Sequence, residues 1–311
     1  MRKWITLLMA ALVGSAVSAN ANVGEITFEA GYRHDNIDWE HSFPASSPDI
    51  KHHTKFKDVD IFQIALNGRS TIGCNFYVRG GAYWGWVLDG KFENSFDTYG
   101  SSSFIGNDSF QGSCFRKNII DDRYVYGFNA AIGYPFYFCD CSLILAPVVG
   151  YALDEQTFRV ERRDFDFYGY GLGNCCTHKF LNRWYGGFVG VDFEYRPFSQ
   201  CWNVYGEIEY HWVEFSGRRN FCDDFFFNNR HNHSRGSGWV FGIGADYDIS
   251  QCWTAGLSVK FQDYRAHRHR HQHFSSYDSY YSSSEGGYSG RAHESAKWHS
   301  YQINLTIGHE F

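Results

Sequence analysis

The sequence predicts an all-β protein: a transmembrane antiparallel up-and-down β-barrel of about ten strands. Three observations carry this. Aromatic residues make up 20% of the 311 residues, with 32 Gly, 5 Pro and a formal net charge of −6. After the first 21 residues no apolar run approaches the ~18–20 residues that a membrane helix needs. Apolar residues instead recur at every second position in segment after segment, the period of a strand with one greasy and one wet face. So many aromatics exclude a disordered polar chain. The lack of a G-X-Y repeat excludes collagen. The mild negative charge leaves no footprint for nucleic acid.

In chain order, the first element is a leader. Arg2 and Lys3 precede an apolar core from Trp4 to Gly14, and small residues end in Ala19-Asn20-Ala21. That is the pattern of a cleaved secretory signal. Residues 1–21 are therefore expected to be removed, leaving 22–311 as one barrel domain. Losing Arg2 and Lys3 takes the net charge from −6 to −8. All nine cysteines remain, in a compartment where disulfides persist.

Ten strands are expected over 24–39, 57–69, 75–89, 121–134, 142–157, 184–195, 203–218, 237–248, 252–266 and 299–311. The last is the clearest: Tyr301, Ile303, Leu305, Ile307 and the terminal Phe311 alternate with Gln302, Asn304, Thr306, Gly308 and Glu310. Trp239, Phe241, Ile243, Ala245 and Tyr247 repeat the pattern, as do Trp253, Ala255, Leu257, Val259 and Phe261. Aromatics gather at the ends of these rows, like the girdles of an outer-membrane barrel. Connections near 70–74, 135–141, 196–202 and 249–251 are short. Those near 40–56, 90–120, 158–183, 219–236 and 267–298 read as long polar loops. Segregated loop lengths of this kind are those of an outer-membrane barrel with its long loops outside. A hairpin hidden within 90–120 or 158–183 would raise the count to twelve. Closing every backbone hydrogen bond within a barrel also reconciles membrane spanning with a mean hydropathy of −0.43.

The cysteines divide along the same map. Cys74, Cys139, Cys141, Cys201 and Cys252 fall at short turns; Cys114, Cys175, Cys176 and Cys222 fall in long connections. Cys139-Asp-Cys141 and Cys175-Cys176 lack the spaced pairs of a zinc site. Nine is odd, so at least one thiol is free or pairs with another chain. A leader, a Tyr- and Cys-rich barrel, cysteines at the short turns and a terminal Phe together resemble the cysteine-rich outer-membrane porins of chlamydia-related bacteria, the Protochlamydia outer membrane protein family. The resemblance implies a pore for small hydrophilic solutes in the bacterial outer membrane. It further implies disulfide links to other envelope proteins or to further copies; the terminal Phe311 resembles the C-terminal strand end of bacterial outer-membrane barrels, which implies assembly in lipid by the barrel machinery, and no cofactor is expected.

Extending the alternation inward gives a bore lined by Glu29, Arg33, Arg79, Arg123, Asp192, Glu194, Glu207, Glu209, His211, Asp246, Lys260 and Gln262. Acids exceed bases, which in an open channel favours cations. Ten strands lie near the closed end of barrel sizes, since ~8 strands leave room only for side chains. A closed structural or adhesive barrel is the alternative. An enzyme is the third reading: omptin-type outer-membrane proteases carry a carboxylate-x-imidazole pair facing acidic residues at the outer rim. Glu209-Tyr-His211 has that spacing, with Asp89 as the facing acid, although Glu stands for Asp and one facing acid is missing. His267, His269, His271 and His273 alternate, a spacing able to present imidazoles to Zn, Cu or Ni, or to form a solvated loop. There is no G-x-S-x-G, H-E-x-x-H or P-loop signature.

Overall fold

The computed structural model describes residues 21–43, 49–73, 75–99, 115–118, 124–162, 176–197, 201–220, 231–274 and 288–311. The leader region 1–20 and Arg123 lie outside them. The strands are β1 (Ala21–Phe43), β2 (Asp49–Ile72), β3 (Phe76–Tyr99), β4 (Phe115–Asn118), β5 (Tyr124–Gly133) and β6 (Phe136–Phe138). Then follow β7 (Leu143–Arg162), β8 (Cys176–Tyr195), β9 (Trp202–Asn220), β10 (His231–Asp248), β11 (Trp253–Phe274) and β12 (Tyr288–Glu310). Each long strand pairs antiparallel with its chain neighbours. β1 pairs β12, and β2 pairs β3, which closes the ring. At the seam Gly24 and Phe311 exchange backbone hydrogen bonds of 3.1 and 3.0 Å.

Among the described residues the wall has the ten expected staves. β4, β5 and β6 together form the fourth: β4 pairs the outer part of β3, and β6 continues along β7 beyond Pro135. Proline has no N–H to donate, so the ladder breaks there and resumes.

The strands are much longer than their sequence signals. β12 begins at Tyr288 rather than 299, and β11 runs to Phe274. Much of what reads as long polar loops in 40–56, 90–120, 158–183, 219–236 and 267–298 is strand.

Two rings of exposed aromatics mark the membrane. One holds Phe76, Tyr134, Phe136, Tyr195, Trp202, Tyr247, Trp253 and Phe311; the other holds Tyr32, Phe62, Trp86, Trp212, Trp239 and Tyr301. Between them lie outward aliphatics such as Leu66, Val189, Ile208, Ile243, Leu257 and Leu305. From Tyr301 to Phe311 the tilted strand rises roughly 25 Å, the height of an outer-membrane barrel's apolar band. Beyond the second ring the outward face turns polar: Lys55, Asp58, Lys91, Arg235 and Arg265. There the Lys91 ammonium, 2.8 Å from Asp58, holds that carboxyl below its usual range.

The barrel therefore continues outside the membrane, where its inward face becomes apolar. Ile37, Trp39, Phe56, Phe158, Phe180, Trp184, Phe215, Tyr264 and Trp298 all fall within one buried cluster. In β2 the change of face has a local cause. Asp58 adopts a φ of 52° at a bulge between Lys57 and Asp60, and its N–H donates to Asn36 Oδ1 at 3.0 Å. One extra residue shifts the alternation, so Phe62 faces out while Phe56 faces in.

Packing in this outer layer is tight. A Cβ on Gly217 would lie 2.2 Å from Trp39 Cζ2. Gly217→Ala is expected to lower stability by about 1–3 kcal/mol by displacing that indole. A shift in the urea unfolding midpoint in detergent micelles measures it, and an unchanged midpoint contradicts it.

Candidate functional site

The bore at membrane depth carries charged and polar groups along its length, beside one apolar stretch of wall formed by Ala131, Ala146, Val148, Ala152 and Phe188. At the short-turn end Arg69 Nε donates to Glu25 at 2.6 Å, and its Nη1 lies 3.4 Å from Glu194. Arg196, from the β8–β9 turn, reaches both Glu194 and Glu310.

The middle is organised by one guanidinium. Arg79 Nε lies 2.7 Å from Asp192, and Nη1 lies 2.8 Å from Glu207. Nη2 pairs with Glu209. Lys260 Nζ sits 2.6 Å from Glu207, and His211 Nε2 lies 2.7 Å from Glu209. Asn304 donates to Glu29 at 2.9 Å, and Thr306 donates to Asp246 at 2.7 Å. Gln302 bridges Gln63 and Gln262. These groups surround a cavity of about 200 Å³.

Above it lies a buried ion pair. Arg33 grips Asp35 through two N–H donors at 2.8 and 2.7 Å, and Gln156 donates to Asp35 at 2.9 Å. The guanidinium stacks 5.0 Å from the Trp298 ring and 5.2 Å from Tyr83, whose hydroxyl donates to Asp154. Trp298 belongs to the next layer, an aromatic collar. There Trp184 packs on Phe215 at 4.7 Å, on Tyr264 at 5.8 Å and on Trp298 at 6.2 Å. Trp39 meets Phe215 edge-on at 5.5 Å. Among the described residues the indole N–H groups of Trp184 and Trp298 have no hydrogen-bond partner. Packing, with the Arg33 guanidinium on Trp298, holds these two rings.

Water access falls along the bore. The Lys260 side chain is 24% exposed, Arg79 12%, Glu209 4% and Arg33 0%.

The bore residues expected from alternation are thus brought together, apart from Arg123. Of the expected catalytic constellation, Glu209 and His211 are in contact. His211 is 2% exposed beneath Tyr264, which lies 3.2 Å from its Nδ1. Asp89 is an exposed residue at a bulge, paired in register with Asp60, and its carboxylate accepts from Gly90 N–H. Asp192, Glu207 and Glu209 are spaced to hold a cation, but Arg79 and Lys260 already occupy that place. Cys139, Cys141, Cys201 and Cys252 are unpaired and exposed at the short-turn rim. Cys74, Cys114, Cys175 and Cys222 lie outside the described residues, and Cys176 opens β8. His267 is exposed, while His269, His271 and His273 continue β11, their side chains outside the described set.

Sequence reasoning missed Glu25, Asp35, Arg69, Asp154 and the whole collar. Glu25 and Asp35 share the parity of Glu29 and Arg33, so a longer reading of the same row reaches them.

The fold is similar to solved outer-membrane barrels. The outer membrane protease OmpT from Escherichia coli superposes with a TM-score of 0.65 at 10% identity, over 94% of this chain and 97% of that one. The translocator domain of the autotransporter NalP from Neisseria meningitidis gives a TM-score of 0.39 at 8% identity, over 100% of this chain and 96% of that one. At 10% identity the likeness to OmpT shows the fold alone. No curated protein sequence matches the chain. Residues 27–311 match the family model of the Protochlamydia outer membrane protein, Pom.

Proposed function

The chain belongs to the Protochlamydia outer membrane protein family and resides in the bacterial outer membrane, and from that premise we propose that it is a narrow, gated pore for small cations and other small hydrophilic solutes, without enzymatic activity. The observation that carries this reading is the charged column at membrane depth, capped by the collar outside it. Ionisable side chains at bilayer depth are costly and mark ion or solute paths by default. A cavity of about 200 Å³ holds roughly a dozen waters. Acids in the column, Glu25, Glu29, Asp35, Asp154, Asp192, Glu194, Glu207, Glu209 and Asp246, outnumber Arg33, Arg69, Arg79 and Lys260, which favours cations. The burial of His211 beneath Tyr264 and the exposure of Asp89 at a bulge support the absence of proteolysis. Planar-bilayer recording tests the reading. Small, discrete, cation-selective steps are expected. Inserted protein with no steps at any voltage overturns it.

The dry collar and the cysteine rim favour a second reading, a closed structural barrel linked to its neighbours. Four exposed thiols at one rim suit intermolecular disulfides in an oxidising envelope. Intact envelopes are then expected to yield high-mass species on non-reducing gels that collapse to monomer on reduction. Monomer under both conditions removes this reading.

A further inference from the structure

We propose that the outward face of β7 to β12, just beyond the outer aromatic ring, is a docking surface for the phosphorylated headgroups of the outer leaflet's lipid. Among the described residues each of these six strands turns at least one permanent cation outward there. They are Arg159 on β7, Lys179 on β8, Arg218 on β9, Arg235 on β10, Arg265 on β11 and Lys297 on β12, all exposed. Arg183 on β8 joins them. The outward acids at this level of the same strands are Glu155, Glu214 and Asp263. The opposite flank reverses the balance. There β1 to β3 carry Lys55, Lys57 and Lys91 against Asp38, Glu40, Asp58, Asp60, Asp89 and Glu93. Beyond the outer ring the barrel is thus basic on one flank and acidic on the other.

Position selects the partner. Arg265 and Lys297 stand directly opposite one another, each four residues beyond an outward aromatic, Phe261 and Tyr301. Four residues of a tilted strand rise roughly 10 Å. The headgroup layer outside the hydrocarbon is ~5–8 Å deep, and long basic side chains bend toward it along their apolar stems. The row continues on β10, where Ser237 is opposite Arg265 and Arg235 is opposite His267. Beside Arg235 the wall has a depression lined by Tyr185, Glu214, His233, His267 and Arg268.

The chemistry fits phosphate. Arg235 and Arg265 each meet one acid at 3.0 Å, yet their side chains stay 87% and 58% exposed. A guanidinium carries five donors in a fork that matches phosphate, so one carboxylate does not exhaust it. Like charges directly across a strand pair are destabilising. Arg265 with Lys297 is such a pair, and so is Arg159 with Lys179. A phosphate seated between the two cations removes the repulsion. Nothing in this inference depends on whether the bore conducts.

The test uses the full chain refolded in uncharged detergent micelles and titrated with diphosphoryl lipid A by calorimetry. Saturable binding is expected, and lipid A stripped of both phosphates is expected not to bind. A basic residue at an anionic lipid surface contributes roughly fivefold in affinity. Arg235→Ala/Arg265→Ala/Lys297→Ala is therefore expected to lose roughly a hundredfold. Arg235→Ala alone is expected to lose about fivefold, which keeps the test open if the triple variant does not fold. Lys55→Ala/Lys57→Ala/Lys91→Ala, on the acidic flank, is expected to bind as the unaltered chain does. Added salt is expected to weaken binding by screening. Inorganic phosphate is expected not to compete, because acyl chains against the apolar band supply the rest of the affinity. Circular dichroism confirms that each variant is folded. No saturable binding by the unaltered chain overturns the proposal, as does unchanged affinity in folded Arg235→Ala. Competition by inorganic phosphate, or binding of dextran sulfate in preference to lipid A, would assign the face to a soluble anion and overturn it as well.

Discussion

Arg79→Ala is expected to destabilise the barrel by about 3–5 kcal/mol, the cost typical of breaking a buried ionic network by removing one partner. The physical reason is the number of charges it faces. Asp192, Glu207 and Glu209 each meet a different nitrogen of this guanidinium. Without it, Lys260 remains beside Glu207 and His211 beside Glu209, and Asp192 loses its only ion-pair partner among the described residues. Like charges within a few ångströms in a medium less polarisable than water repel strongly. Arg79→Lys is expected to recover only part of the loss. An ammonium is a point charge and lacks the planar fork that reaches three acids at once. Urea unfolding of both variants in micelles, followed by tryptophan fluorescence, measures the effect. A midpoint unchanged for Arg79→Ala would show that water in the cavity, rather than the guanidinium, screens these carboxylates.

The membrane-level half of this fold was legible because lipid imposes a simple rule on it. Outward positions must be apolar, so Tyr301, Ile303, Leu305 and Ile307 show the strand, and the residues between them, Gln302 to Thr306, show the bore. Glu207, Glu209, Asp192 and Lys260 followed from that rule alone. Beyond the outer girdle the rule reverses, and there the reading failed. Lys297 and His299 face out into a polar zone while Ala296 and Trp298 face in. The apolar parity in β12 therefore changes from odd to even across His299 and Ser300. The same reversal occurs in β1, where Phe28 and Tyr32 face out but Ile37 and Trp39 are buried. A segment whose periodicity changes phase looks like a loop to any template of constant phase. In β2 the bulge at Asp58 adds a second phase change. Asp89, assigned to a catalytic wall, lies at the matching irregularity in β3, where alternation gives no direction.

Trimming the collar is expected to raise ion flow far more than any change in the charged column. Trp184 and Trp298 are both fully buried, their rings 6.2 Å apart, and Trp298 also caps the Arg33 guanidinium. An apolar constriction stops ions by excluding water, even where the polar path on one side is continuous. Replacing both indoles by alanine removes two of the largest side chains from the inner edge of a layer that on β8 runs from Phe180 to Trp184, three inward positions or roughly 13 Å along the strand. Each truncation costs about 3–5 kcal/mol of packing. The outer strands keep their ladders, however, and the lower network does not touch either ring except through Arg33. The double variant is thus expected to fold less stably yet conduct in larger and more frequent steps than the unaltered chain. Its preference for cations should persist, because Glu25, Glu194 and Glu207 still line the path. Trp84→Ala, on the lipid-facing side of β3 and stacked 4.8 Å from Tyr124, serves as the control. It loses comparable bulk without touching the bore, so its conductance should match that of the unaltered chain. A folded, inserted Trp184→Ala/Trp298→Ala barrel with no increase over that control would mean that the collar is not the gate. The ion pairs of Arg79 and Arg33 would then be what closes the bore.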